Sequence, residues 1–128
     1  MSRKENSTCQ LLLMLNLVSA IIVATSPAKA DSLQVRDSIP VADGVVRGGE
    51  VEYVIRFNGL IDHAASRIEI TQLGHVIQSF PMFLGSAPNV LFASGEAPAP
   101  GRYILRWEAK SPVDGTISSG EIPFSVKQ

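Results

Sequence analysis

The sequence predicts an all-β sandwich, and two features carry that prediction. Apolar residues recur with a period of two, and short turn signals divide the chain every eight to twelve residues or so. No window carries a convincing 3.6-residue apolar stripe; Asp62–Ala65 has room for one helical turn at most. Val51, Tyr53, Ile55 and Phe57 alternate with Glu50, Glu52, Val54 and Arg56, the pattern of a strand with one buried face. Ser66–Thr71 alternates in the same way. Tyr103, Leu105 and Trp107 share one face of a further strand, with Arg102, Arg106 and Glu108 on the other. Ile122, Phe124 and Val126 share a face of the last. Weaker runs lie at 33–37, 75–80 and 89–93. The breakers between them are Pro40 through Gly44, Gly48-Gly49, Leu73-Gly74, Gly85 through Pro88, Gly95 through Gly101 and Asp114-Gly115. Ser118-Ser119-Gly120 reads as the end of a loop entering the last strand. The pattern is that of an immunoglobulin-like Greek-key β-sandwich of about seven strands, and Trp107 belongs to its core.

A signal peptide precedes the sandwich. Arg3 and Lys4 form a positive start, a mostly apolar run follows from Leu11 to Ala24, and Ala28-Lys29-Ala30 offers small residues to signal peptidase. The run is 14 residues long, whereas a membrane-spanning helix needs roughly 20. Cys9 precedes the run, which argues against lipid attachment at its end. Residues 1–30 are therefore expected to be removed, leaving 31–128 as one domain.

That domain has eight basic and eleven acidic residues, a net charge of −3, because the leader takes Arg3, Lys4, Lys29 and Glu5. It shows no basic stripe, so nucleic acid is a poor partner. With Cys9 in the leader it has no cysteine, hence no disulfide and no thiolate ligand or nucleophile. No membrane insertion is expected after cleavage, and a monomer is expected.

Several segments resemble the CopC-type copper-resistance proteins. Ser38-Ile39-Pro40-Val41-Ala42-Asp43-Gly44 resembles that family's S-x-P-x-x-G turn, and Ser66-Arg67-Ile68-Glu69-Ile70 its S-R-V-x-V strand. Pro100-Gly101-Arg102-Tyr103-Ile104-Leu105-Arg106-Trp107 resembles P-G-x-Y-x-V-x-W. Asp114-Gly115, Gly120, Phe124 and Val126 keep the spacing of D-G-H-x-x-x-G-x-x-x-F-x-V. The resemblance implies a periplasmic β-sandwich that binds copper, with a membrane copper-transport protein as a possible partner.

It also implies a ligand set, which this chain matches only in part. In the family, Cu(II) is held by an amino-terminal histidine and by the Asp and His of D-G-H, donors that suit its tetragonal preference. Here Asp114 keeps the Asp position, Thr116 stands in place of the His, and the first residue after cleavage is Asp31. The remaining metal candidates are Asp31, through its α-amine and carboxylate, and Asp114. His63 and His75 are speculative additions, since a separation of twelve residues fits no local ligand spacing. Asp-Gly is equally a tight-turn pair. Met82 is the sole methionine beyond the leader, too little sulfur for Cu(I).

The expected function is therefore a non-catalytic, exported, copper-associated protein with an altered or degenerate metal site. The alternative is a metal-free interaction module of the cell envelope. An enzyme is disfavoured: Asp31 cannot supply a histidine brace, and no G-x-S-x-G places a nucleophile.

Overall fold

The computed structural model describes residues 32–81 and 86–128; the leader, Asp31 and Met82 lie outside them. Eight strands are present among the described residues: β1 (Val35–Ile39), β2 (Gly44–Arg47), β3 (Glu50–Phe57), β4 (Arg67–Gln72), β5 (His75–Phe80), β6 (Val90–Glu96), β7 (Gly101–Lys110) and β8 (Ile117–Lys127). One 3₁₀ turn, His63–Ala65, precedes β4. The strands form a three-stranded sheet in the order β1-β3-β6 and a five-stranded sheet in the order β2-β8-β7-β4-β5. All pairings are antiparallel except β2 with β8. The architecture is the expected all-β, immunoglobulin-like sandwich.

Two local expectations are corrected. β2 is an additional strand: Val45-Val46 sits between the Pro40–Gly44 turn and Gly48-Gly49, and pairs in parallel with Ser125 and Val126. Ser118-Ser119-Gly120 lies inside β8 rather than in a loop. Glycine usually weakens a strand interior, but here Gly120 faces Trp107 across the β7–β8 ladder. A Cβ on Gly120 would lie 2.7–2.8 Å from the indole atoms. The strand keeps a glycine because the tryptophan ring occupies the space of its side chain.

Alternation puts one face of each major strand into the core. Tyr53, Ile55 and Phe57 of β3 and Leu91 of β6 meet Ile68 and Ile70 of β4, Leu105 and Trp107 of β7, and Phe124 of β8, all at most 6% exposed. Aromatic pairs join the two sheets. Phe57 packs edge-on against Trp107 at 4.9 Å, and Tyr53 lies 5.1 Å from Phe80 and 6.1 Å from Phe124. Such pairs add about 0.5–1.5 kcal/mol each beyond area burial. Tyr103, near the start of β7, donates its hydroxyl hydrogen bond to the Ala99 carbonyl four residues upstream, a tyrosine corner of the kind found in immunoglobulin-like domains.

Gly120→Ala should destabilise the fold by about 1–3 kcal/mol through overpacking, with a changed Trp107 fluorescence in the folded state; unaltered stability would show that the indole can move aside freely. Tyr53 is fully buried and its hydroxyl has no hydrogen-bond partner among the described residues. Burial pushes its phenol from 10.0 to about 12. The folded state thus favours the neutral phenol. That contribution is intact below pH 10.0 and is lost as pH rises towards about 12. Tyr53→Phe should therefore raise stability at neutral pH by about 1 kcal/mol and flatten the alkaline limb of the stability profile; a less stable variant would contradict the unpartnered hydroxyl.

Candidate functional site

Lys110 and Ile117 are the last paired residues of the β7–β8 hairpin, and the six-residue loop between them carries Asp114. The loop is closed by backbone bonds from Ser111 N to Thr116 O (2.9 Å) and from Gly115 N to Ser111 O (3.0 Å). Gly115 adopts φ 74°, a conformation glycine takes without strain. Asp114 Oδ1 accepts the Thr116 backbone N–H at 2.9 Å. That bond, together with further bonds from the Thr116 and Ser111 hydroxyls, holds the exposed Asp114 carboxyl below its ordinary pKa.

Beside this loop lies an open depression of about 280 Å³, lined by Ser32, Leu33, Asn58, Leu60, Val113 and Asp114 among others. Long-range bonds bring the early chain here. Leu33 N–H donates to Ser118 Oγ at 3.1 Å, and Gln34 N–H donates to Asn58 Oδ1 at 2.9 Å. Sequence reading found Asp114 but not Asn58 or Leu60, because no local pattern marks residues that meet only through the tertiary fold.

His63 sits at this same end of the sandwich. Its neighbour Asp62 donates its backbone N–H to Lys110 O at 2.8 Å. The buried Ser66 locks the arrangement: its hydroxyl donates to Asp62 O at 2.6 Å and accepts the Lys110 N–H at 3.0 Å. His63 Nε2 lies 2.8 Å from Val90 O and 3.2 Å from Ala87 O. Both neighbours are carbonyl acceptors, so Nε2 carries the proton and serves as a donor. His75 begins β5, paired with Gln72 at the far end of β4. The six residues of β4 rise about 20 Å, so the two histidines are not brought together. Among the described residues no group of three or more His, Cys, Asp or Glu could hold a metal ion. No helix among them is long and apolar enough to cross a membrane.

The residues that are present do not suit a tight Cu(II) site. Imidazole is missing at position 116, the Asp114 carboxylate is engaged in its own turn, and the bonded nitrogen of His63 is a donor. With Nε2 protonated, His63 keeps one lone pair on Nδ1; otherwise the described residues at this end offer oxygen, a harder donor set than Cu(II) selects.

The two-sheet architecture, the aromatic core and the tyrosine corner define the class: an immunoglobulin-like β-sandwich. Within that class the fold is CopC-like. The chain is similar to CopC from Methylosinus trichosporium, with 26% identity and a TM-score of 0.63, over 75% of this chain and 94% of that one. An engineered protein of the Northeast Structural Genomics Consortium shares the fold at 12% identity and a TM-score of 0.55, over 80% of this chain and 21% of that one. No protein-family model and no curated protein matches the chain.

Because the Asp114 carboxyl is depressed in the folded state, its contribution to stability is present at neutral pH. It is lost as pH falls below about 4, through the folded midpoint. A carbon-detected NMR titration should place that midpoint below the ordinary aspartate value, and Thr116→Pro, which removes the donating N–H, should raise it. A midpoint at or above the ordinary value would mean that the turn does not hold the carboxylate.

Proposed function

We propose that this chain is an exported, non-catalytic CopC-like domain that works in copper handling in the periplasm with a degenerate metal site. Residues 1–30 are its removable leader and 31–128 its working domain. The observation that carries this reading is the likeness to a CopC over nearly the whole of that chain. The Asp-Gly loop occupies the end of the sandwich where the early chain arrives. A cut after Ala30 would start the protein one residue before Ser32, which lines the same depression as Asp114. The Asp31 α-amine, the Asp31 carboxylate and the Asp114 carboxylate are then the donors available to a copper ion. Without imidazole they hold it weakly.

The alternative, a metal-free module that docks on an envelope partner such as a membrane copper-transport protein, draws support from the commitment of Asp114 to its own turn. Competition titration against chelators of graded strength separates the two. The expected wild-type result is weak Cu(II) binding that a modest chelator removes. Thr116→His should tighten binding by at least about tenfold. If neither protein binds Cu(II), the copper reading fails and the docking module stands. If the wild type resists strong chelators, the site is not degenerate.

A further inference from the structure

At the opposite end of the sandwich, the β4–β5 hairpin turns on two residues, Leu73 and Gly74, between the paired Gln72 and His75. Both central residues have positive φ, 51° for Leu73 and 81° for Gly74, as a type I′ turn requires. Glycine, asparagine and aspartate suit the first of these positions; a bulky leucine there is strained. Leu73 is also 93% exposed, so the protein's own core gains nothing from it. A residue that carries backbone strain and places an apolar side chain in water points to a function outside the fold.

What receives it is suggested by the surface beside it. A shallow depression of about 460 Å³ adjoins Leu73 and is bounded by Gln72, Arg102, Tyr103, Ile104 and Pro123. Knob and hollow lie side by side. Val76 and Ile77, on the same hairpin, are 47% and 45% exposed. At the same end, Arg102 and Asp43 form an exposed pair at 3.9 Å. Neighbouring groups of opposite sign are what a two-fold contact needs, since each can face its counterpart on the other copy. The strand itself, His75–Phe80, has no Asp, Glu, Lys or Arg to repel a like surface.

We propose that this hairpin is a self-association surface, in which Leu73 of each copy enters the hollow beside Leu73 of the other about a two-fold axis. Arg102 then faces Asp43 of the partner subunit. The sequence alone led to the expectation of a monomer; the exposed leucine and its adjoining hollow argue for a weak dimer. β7 places the hairpin end and the Asp114 loop at opposite ends of the sandwich, so the dimer leaves the depression beside Asp114 open in each copy.

Sedimentation equilibrium of the purified protein, without metal, tests this. The wild type should dimerise with a Kd between about 10 μM and 1 mM. Leu73→Asn, which keeps a residue suited to the turn, should weaken the dimer by at least about tenfold, the effect expected of an anchor residue. Arg102→Asp should also weaken it, and combining it with Asp43→Arg should restore it. An unchanged far-ultraviolet circular dichroism spectrum would confirm that each variant is folded. A wild type that stays monomeric up to about 1 mM overturns the proposal and leaves the hairpin to a different partner. A dimer indifferent to both Leu73→Asn and Arg102→Asp overturns it as well, because association then uses another surface.

Discussion

Phe57 and Trp107 come from different sheets, and their rings meet edge to face at 4.9 Å. With the only cysteine at position 9, no disulfide can join the sheets of the domain. They are held by the aromatic and aliphatic side chains that interdigitate between them. The contact constrains its surroundings as well. Trp107 pairs with Gly120 on one neighbouring strand and with Ile68 on the other. Its indole covers the glycine so closely that a methyl group there would clash. Three strands of the larger sheet are thereby fixed in register around one ring.

From that centre β7 runs to both ends of the molecule. At one end Tyr103 ties the strand back to Ala99, and the hollow beside Leu73 opens next to it. At the other, the Lys110 carbonyl accepts from Asp62, its N–H donates to Ser66, and the Asp114 loop begins. The loop therefore rests on a rigid strand end, while its chemistry comes from a few local bonds. Those bonds hold the Asp114 carboxylate in its turn without any cation.

Legibility followed physical cause. β3, β7 and the second half of β8 were readable because one face of each packs into the core, so burial imposes strict alternation. β2 was missed because it is four residues long and lies at the sheet edge with no residue fully buried. Gly120 looked like a breaker because the ring that replaces its side chain comes from another strand. At the candidate site Asp114 could be found from its Asp-Gly spacing. Its surroundings could not, because Leu33, Asn58 and Leu60 meet it only through long-range folding. Leu73-Gly74 was read correctly as a turn, but nothing local indicated that the leucine would stand almost entirely in water.

The central proposal is that this CopC-like sandwich binds copper only weakly, through a site without imidazole. Pulsed electron paramagnetic resonance of purified residues 31–128, loaded with one equivalent of Cu(II), reads the ligands directly. The account predicts a spectrum governed by oxygen donors and an amine, with no modulation from the remote nitrogen of a coordinated imidazole. Clear imidazole modulation, lost on replacing His63 or His75, would contradict it.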